Sequence, residues 1–519
     1  MMYGEEKSDS LIVAANLANN PQGAESVERR SGAKGNAEQP HMRRTQSRES
    51  MSQRLSRVRE AAKQRKKERF TALFHLLTAE ALENAFLSLS RKAAAGVDGV
   101  RWKDYAENLK VNIADLHRRL HQGSYRAQPG RRHYIPKADG KQRPLGIASL
   151  EDKIVQYALV KILNAVYEND FMGFSYGFRP GRSQHNALDA LATGLVRTNV
   201  NWVLDADISQ FFDKVSHEWL IRFIEHRIGD QRVIRLIRKW LTAGTSEEGE
   251  WRASEEGEWR ASEEGEWRAS EEGEWRASEE GTPQGAVISP LLANIYLHYV
   301  FDLWAHQWRR RHATGNVVMV RYADDIVIGF DKRIDAQCFR IAMQRRLKEF
   351  GLTVHPKKTR LTEFGRFAAE NRASRGKGKP ETFNFLGFTH ISGKDRSGRF
   401  MLIRKTRRDR MTATLKAIKD GLRKRWHYSI PEQGKWLRRV VQGYLNYHSV
   451  PGNYPMMRKF RIYVTDLWRR ALRRRSQQDD TTWTKANRLA AVWLPKVRVL
   501  HPWPVERFTA RHPRQEPGA

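Results

Sequence analysis

The segment from residue 317 to residue 330 decides the fold, and its sequence is VVMVRYADDIVIGF. Two apolar runs, Val317–Tyr322 and Ile326–Phe330, flank Asp324 and Asp325, which predicts two β-strands joined by a tight hairpin. Adjacent carboxylates at such a turn repel each other unless a cation lies between them, and oxygen ligands suit Mg²⁺. An Asp-Asp pair alone is more often a solvated turn, so a metal site requires further carboxylates.

A second carboxylate site follows a mostly apolar stretch, residues 201–208, which predicts a central strand. Asp207 lies near the end of this strand, with Asp205 two residues before it and Asp213 six residues after it. A buried carboxylate needs a partner, either a metal shared with Asp324 or an Arg or Lys side chain. Carboxylates from two neighbouring strands can hold two metal ions, and such a site performs nucleotidyl transfer.

The composition indicates a polyanionic partner. The 519 residues include 93 Lys and Arg against 59 Asp and Glu, a net charge of +34. Nucleic acid is the first candidate because phosphate contacts release counterions, and an acidic membrane surface is the second. The single cysteine, Cys338, excludes an internal disulfide and a zinc site built from cysteines. The sequence predicts neither a signal peptide nor a membrane span, so we expect a cytoplasmic protein that associates with the nucleoid when on DNA.

The predicted elements form an α+β body followed by a basic α-helical region. Helices are predicted at residues 51–69, 79–92, 102–121, 154–167, 183–195 and 291–311. Besides the strands above, strands are predicted within 132–147 and near 352–354 and 383–388. Beyond Arg404 the pattern is helical to about Trp493.

An eight-residue repeat interrupts the body. The unit Ser-Glu-Glu-Gly-Glu-Trp-Arg-Ala begins at Ser246, Ser254, Ser262 and Ser270, and a partial copy begins at Ser278. Each full copy carries three Glu and one Arg, a net charge of −2, and offers too little apolar surface to stack into a core. Perfect identity favours a surface hairpin lengthened by replication slippage; the alternative is an acidic docking loop.

Seven sequence blocks resemble those of reverse transcriptases, and they occur in that family's order. The blocks are Arg143–Ile147, Gly177–Ser183, Asp207–Asp213, Gly281–Asn294, Tyr322–Asp325, His355–Thr359 and Phe385–Phe388. Residues Gly443–His448 resemble the maturase domain of group II intron proteins, and Gly96–Gly99 resembles the extension before their first block. The resemblance implies a right-hand polymerase, with an antiparallel sheet in its fingers and palm, followed by an α-helical thumb or maturase domain.

The resemblance also predicts domain limits. A disordered polar and basic segment over 1–50 precedes the helices of an N-terminal extension over 51–116. Fingers and palm follow over 117–391, with the repeat insertion at 246–281, then the thumb over 400–495 and a tail over 496–519. Many relatives end in an endonuclease with paired Cys-x-x-Cys motifs, which Cys338 alone cannot form. We therefore expect no endonuclease, and a primer supplied by a nick, a replication fork or single-stranded DNA.

Residue roles follow from the same resemblance. It implies that Asp207, Asp324 and Asp325 are catalytic and hold two Mg²⁺ ions together with the backbone carbonyl of Ile208. In the implied nucleotide site, Lys137 and Arg143 clamp the triphosphate, Phe212 excludes a ribose 2′-hydroxyl, Gln284 and Gly285 pack beside the nucleotide, and Lys358 protonates the leaving pyrophosphate. The expected RNA contacts are Arg404, Lys405, Arg407, Arg408, Tyr444 and Tyr447, although aromatic residues at this spacing also suit a helix-bundle core.

The expected activity is RNA-directed DNA polymerisation, in which dNTPs are added to a primer 3′-hydroxyl on an RNA template with a DNA primer or target DNA. We also expect a maturase that binds group II intron RNA to promote splicing and mobility. One alternative is a splicing cofactor that has lost polymerisation, which the presence of Asp207, Asp324 and Asp325 disfavours. Another is a reverse transcriptase recruited to defence or a different cellular task. The sequence favours no particular oligomeric state.

Deletion of three repeat copies, residues 254–277, should leave primer extension within about twofold of the full chain, because loop length affects stability only weakly. Primer extension by the two proteins at equal concentration measures this. Loss of extension in a deletion variant that keeps its helical circular dichroism would contradict the slippage interpretation.

Overall fold

The computed structural model describes residues 50–136, 142–247, 250–251, 280–475 and 481–511. The predicted disordered segment, apart from residue 50, and most of the repeat insertion lie outside the described residues. Within the described ranges, no helix is long and apolar enough to cross a membrane.

From residue 50 onward, four α-helices precede the first described strand: α1 (Met51–Gln64), α2 (Ala79–Ser88), α3 (Trp102–Glu107) and α4 (Leu109–Gln122). Ser50 caps α1 through a reciprocal pair of hydrogen bonds with Gln53, which satisfies amide groups that the first turn leaves unbonded. The prediction of a single helix over 102–121 is wrong in one respect, because the helix is interrupted at Asn108, between α3 and α4.

A small outer sheet, with strand order β2-β1-β4-β5, begins directly after these helices in the sequence. Its antiparallel hairpin is β1 (Gly130–Pro136) and β2 (Gln142–Ile147), which confirms the two strands predicted over 132–147. Strand β4 (Thr245–Glu247) pairs in parallel with β1, and β5 (Glu250–Trp251) pairs antiparallel with β4. The repeat insertion therefore begins at the edge of the outer sheet.

A central antiparallel sheet, with strand order β6-β7-β3-β8, carries the predicted carboxylates. Its strands are β3 (Trp202–Asp207), β6 (Val317–Tyr322), β7 (Asp325–Phe330) and β8 (Arg360–Glu363). The described helices between β2 and β6 are α5 (Leu150–Tyr167), α6 (Gln184–Arg197), α7 (His217–Arg227), α8 (Gln231–Thr242), α9 (Ser289–Leu297) and α10 (Leu303–His312). Helix α11 (Arg333–Lys348) follows β7.

Both faces of the central sheet are buried. In β6, Val317 and Met319 join the larger core cluster, whereas Val318 and Val320 join a second cluster that includes Leu188 of α6. Alternate residues of a strand point to opposite faces, so burial of both faces explains why β6 and β7 are apolar throughout rather than at every second position.

The long helix predicted over 291–311 is wrong in its middle. A π-helical turn, His298–Asp302, separates α9 from α10. The strand predicted near 352–354 is also reduced, because only Val354 pairs there, in an isolated bridge with Ile208.

The C-terminal part contains a third sheet and a bundle of helices. After α12 (Ala368–Ala373), strands β9 (Phe383–Phe385), β10 (Phe388–Lys394) and β11 (Phe400–Thr406) form a three-stranded sheet. The bundle consists of α13 (Arg408–Arg423), α14 (Ile430–His448), α15 (Tyr454–Arg473) and α16 (Trp483–Trp493). The predicted limits at 391 and 400 thus fall inside the β10–β11 hairpin. The predicted tail contains a further helix, α17 (Pro504–Arg511), whose Phe508 is buried in the second core cluster.

Candidate active site

The catalytic hairpin predicted from the sequence is present. Tyr322 pairs with Asp325 across the β6–β7 ladder, which leaves Ala323 and Asp324 as a two-residue loop. Ala323 has a φ of 57°, and loops of this length generally require such left-handed residues. Asp207 lies directly opposite Asp325 in the β3–β7 ladder. Side chains opposed in this way have Cβ atoms about 5 Å apart, so the sheet brings two of the three predicted carboxylates together and places Asp324 beside them at the turn.

Negative charge accumulates at this end of the sheet. Desolvation by the surrounding protein, followed by the charges of Asp324 and Asp207, raises the pKa of Asp325 to about 6. Asp325 is exposed to solvent, so it lies at the surface end of β7 rather than in the core. Burial, followed by the charges of Asp325 and Asp207, raises the pKa of Asp205 to about 7. Both pKa shifts arise first from desolvation and then from neighbouring negative charge, and a bound cation would offset the second cause.

Lys358 supplies one positive charge at the site. Its Nζ donates a hydrogen bond of 2.7 Å to Asp207 Oδ2. The segment around it is fixed to β3, because the His355 amide donates to the Asp207 carbonyl at 2.7 Å and Ile208 bridges Val354. The structure therefore places Lys358 on Asp207, a carboxylate predicted to be catalytic; its expected action on pyrophosphate, like the metal contact of the Ile208 carbonyl, stays a prediction.

The donor set fits Mg²⁺. Among the residues that the structure describes, no group of three His, Cys, Asp or Glu side chains is arranged to hold a metal. Mg²⁺ usually takes only one or two carboxylates and completes its shell with water and substrate phosphates. Asp207 and Asp325 offer such hard oxygen donors, and their mutual repulsion with Asp324 favours a cation. A metal bound there would compete with the ammonium group of Lys358 for Asp207.

The predicted nucleotide residue Phe212 adjoins the loop that carries Gln284. Phe212 is half-buried and packs edge-on against Phe211, with ring centroids 5.4 Å apart. The Thr282 amide donates to the Phe212 carbonyl at 2.7 Å, and Gln284 Nε2 donates to Asp213 Oδ1 at 2.8 Å. These bonds hold the two predicted nucleotide-binding segments side by side.

Gly285 joins that loop to the outer sheet. The Gly146 amide of β2 donates to the Gln284 carbonyl at 2.6 Å. Gly285 has a φ of 113°, and a Cβ there would lie 2.7 Å from the Gly146 carbonyl oxygen, so only glycine fits. Lys137 lies outside the described residues, and of Arg143 only the backbone, paired with Ile135, is described. The triphosphate clamp stays a prediction.

A buried arginine, which the sequence analysis did not select, anchors the catalytic turn. Arg321 is fully buried, and its Nε donates to Asp302 Oδ1 at 2.7 Å. Its Nη1 donates to the Ala323 carbonyl and to Asn294 Oδ1, both at 3.1 Å, while Nη2 donates to Ser175 Oγ at 2.7 Å. One side chain thus connects the turn next to Asp324 with three other segments. Its signal in the sequence was a charged residue within an apolar strand.

Gly177 brings one of these segments onto the turn. A Cβ at Gly177 would lie 2.3 Å from the Ala323 amide nitrogen, so a side chain there would displace the turn. Asn294 Nδ2 donates to the Gly177 carbonyl at 2.7 Å, and the Tyr176 amide donates to the Arg321 carbonyl at 2.8 Å. The second resemblance block therefore supports the catalytic turn from behind.

Two of the predicted RNA contacts are wrong, because both side chains are buried. Arg404 is only 1% exposed, and its Nη1 lies 3.5 Å from Asp189 Oδ1. Tyr444 is also buried and stacks on Phe460 with ring centroids 3.6 Å apart. The tyrosine belongs to the bundle core, the alternative that its spacing had left open, and the arginine forms an internal ion pair.

The other predicted RNA contacts are at least partly accessible. Lys405 and Arg408 are exposed. Arg407 is half-buried and forms an ion pair of 2.7 Å with Asp409. Tyr447 is half-buried, and its hydroxyl donates to the Leu386 carbonyl at 2.8 Å. Contacts of these four residues with RNA stay predictions.

The central antiparallel sheet, with carboxylates at the ends of two neighbouring strands and at the adjacent turn, has the architecture of a polymerase palm. Residues 135–390 match the family described as reverse transcriptase (RNA-dependent DNA polymerase). This confirms the predicted α+β right-hand polymerase fold, with the helical bundle after it.

Relatives narrow the family. The chain is 38% identical to "Protein YkfC" of Escherichia coli over 230 residues, 43% of this chain and 54% of that protein. It is 34% identical to "Group II intron-encoded protein LtrA" of Lactococcus lactis over 247 residues, 47% of this chain and 37% of that protein. It is 25% identical to the "Putative COX1/OXI3 intron 1 protein" of Saccharomyces cerevisiae, over 67% of this chain and 46% of that protein.

Residues 135–390 form a reverse transcriptase domain, and the chain is similar to proteins encoded by group II introns. The alignments span about half or less of the length of these curated relatives.

Replacement of the buried anchor, Arg321→Met, should lower the free energy of unfolding by about 3–5 kcal/mol, because it leaves Asp302 as an unpaired buried charge. Urea unfolding measures the change. The matched control is Arg345→Met on the exposed side of α11, which should cost no more than about 0.5 kcal/mol. Equal effects of the two substitutions would contradict the anchoring role.

Metal affinity should fall with pH. Protons compete with a metal for Asp325, whose pKa is raised to about 6, so affinity should be about fourfold weaker at pH 5.5 than at pH 7.5. Electron paramagnetic resonance can measure this with Mn²⁺, which takes similar oxygen ligands. Asp325→Asn should bind more weakly and lose this part of the pH dependence; an unchanged pH dependence in that variant would contradict the assignment.

Proposed function

We propose that this chain is an RNA-directed DNA polymerase that adds dNTPs to a primer 3′-hydroxyl by two-metal nucleotidyl transfer. The observation that carries the proposal is the position of Asp207 opposite Asp325, with Asp324 at the adjoining turn, inside a matched reverse transcriptase domain. Two Mg²⁺ ions held by these carboxylates would activate the primer hydroxyl and stabilise the leaving pyrophosphate.

The chain's own residues supply positioning around that chemistry. Asp207 is fixed in the β3–β7 ladder, and the catalytic turn is held by Arg321 from behind. Phe212 and Gln284 lie on adjoining segments that also reach Gly146 of the outer sheet, on the side where the incoming dNTP would bind. The half-buried Phe212 ring would select dNTPs over ribonucleotides by clashing with a 2′-hydroxyl.

A maturase role is the second part of the proposal. The relatives include a "Group II intron-encoded protein" and a "Nuclear intron maturase", and the net charge of +34 suits binding to RNA. Exposed basic residues in β11 and at the start of the helical bundle, Lys405 and Arg408 respectively, are available for phosphate contacts. The RNA would perform the splicing chemistry, and the protein would stabilise its active fold and, with the polymerase, support mobility on target DNA.

The decisive experiment is dNTP incorporation on an RNA template annealed to a DNA primer, with Mg²⁺, comparing the unaltered chain with Asp324→Ala. Loss of a metal-ligating carboxylate should reduce incorporation by at least roughly a thousandfold, since metal ions contribute several kcal/mol to such transition states. Glu370→Gln is the matched control, because this carboxylate lies on α12 and pairs with Lys394; its activity should be unchanged.

Intron splicing separates the two parts of the proposal. Asp324→Ala should still stimulate splicing of a cognate group II intron, because the RNA carries out that reaction. Absence of incorporation by the well-folded unaltered chain would overturn the polymerase and leave a protein that acts by RNA binding alone. Incorporation that survives Asp324→Ala would overturn the proposed metal site.

A further inference from the structure

The segment after the helical bundle returns to the central sheet and forms a chain of hydrogen bonds between two distant helices. His501 lies just before α17, and Arg507 lies within it. The two residues connect α14 of the bundle to α6, which packs on the central sheet. Sequence reasoning had assigned this segment to a tail without a role.

The chain of bonds begins at α14. His501 Nε2 lies 2.8 Å from the Asn446 carbonyl, which can only accept, so Nε2 carries the proton. His501 Nδ1 then accepts a hydrogen bond of 2.9 Å from Arg507 Nη1. Desolvation by burial lowers the pKa of His501, which favours this neutral tautomer. The imidazole therefore joins α14 to Arg507 with both nitrogens used.

The chain of bonds ends on α6. Arg507 Nε donates to Asp189, a carboxylate only 2% exposed. The ring of His501 also stacks on His185, one helical turn before Asp189, with centroids 3.9 Å apart. Phe508 is buried in the second core cluster, which also contains Leu188, and its helix packs against α6. Helix α6 is thus held by an ion pair, a ring stack and an apolar contact from the same short segment.

Helix α6 also contacts the catalytic hairpin. It packs along β6, the strand that ends at Tyr322, two residues before Asp324. Leu188 of α6 shares a core cluster with Val318 and Val320 of β6. A displacement of α6 would therefore reach the catalytic turn, and a displacement of α14 would move the bundle relative to it.

We propose that His501 and Arg507 are positioning residues that fix the orientation of the bundle helix α14 relative to α6. The polymerase part of the inference rests on the proposed function: a fixed bundle would keep the primer–template duplex on the catalytic hairpin. Neither residue touches the reacting atoms, so they act on retention of the duplex rather than on the chemical step.

Two variants remove the bridge with limited loss of packing. His501→Phe keeps a ring to stack on His185 but loses both hydrogen bonds, and Arg507→Leu removes the link to Asp189. The exposed Arg498, in the same segment, gives the matched control Arg498→Leu. Because one break suffices to open the bridge, the double variant should show no more than the larger single effect. Thermal unfolding of each protein confirms that it is folded.

The first readout does not depend on polymerase activity. Spin labels on the exposed native Cys338 of α11 and on Lys416→Cys of α13 report the distance between the central sheet and the bundle. We expect a broader distance distribution in His501→Phe and in Arg507→Leu than in the unaltered chain or in Arg498→Leu. An unchanged distribution in folded variants would overturn the bridge, whether or not the protein polymerises DNA.

The second readout tests the consequence for polymerisation. The primer–template dissociation rate should rise about three- to tenfold in the bridge variants, the range expected for mutations that couple distant sites. Single-turnover addition of one dNTP from the preformed complex should stay within about twofold of the unaltered rate. A broadened distribution with unchanged dissociation would overturn the positioning role, and a lack of incorporation by the unaltered chain would overturn the proposed function alone.

Discussion

The buried ion pair between Arg321 and Asp302 is the interaction on which the rest of the site depends. Burial of two charges costs several kcal/mol per ion, which the attraction repays only when every remaining donor is bonded. Arg321 meets that condition through Asn294, Ser175 and the Ala323 carbonyl. A hydrophobic pair could pack as well, but it could not fix the orientation of a backbone carbonyl next to Asp324.

The same pair explains the irregular helix between α9 and α10. The π-helical turn His298–Asp302 adds backbone to the helix just where Asp302 meets Arg321. Turns of this kind are uncommon and concentrate at functional sites. Asn294, one turn of α9 earlier, bonds to both Arg321 and Gly177. The fold therefore directs one helix and one loop toward the hairpin from behind, and leaves Asp325 exposed to solvent.

Sequence patterns predicted most of the central sheet and could not predict its supports. The two segments around Asp324 and the strand that ends at Asp207 are strongly apolar, which predicts buried strands. Their position next to each other in one sheet was expected because a shared metal site needs carboxylates from both. The break at Asn108 and the π-turn depend on tertiary contacts that no local period reveals. Tyr444 and Arg404 illustrate another limit, because residue type and spacing do not reveal burial. A core tyrosine and a base-stacking tyrosine have the same helical spacing, and a buried arginine cannot be distinguished by sequence from one that binds RNA.

The burial of Arg404 also bears on which basic residues give the chain its net charge of +34. Arg179, Arg227, Arg321 and Arg404 are all buried, and each forms an ion pair with an Asp or Glu of the fold. These pairs are neutral units that stabilise tertiary contacts, so they contribute nothing to attraction of RNA at a distance. Each pair removes one cation and one anion, however, so the excess itself stays at +34 and falls on the remaining charged residues. The net positive charge that a polyanion meets is therefore undiminished, while these four arginines stabilise contacts within the fold.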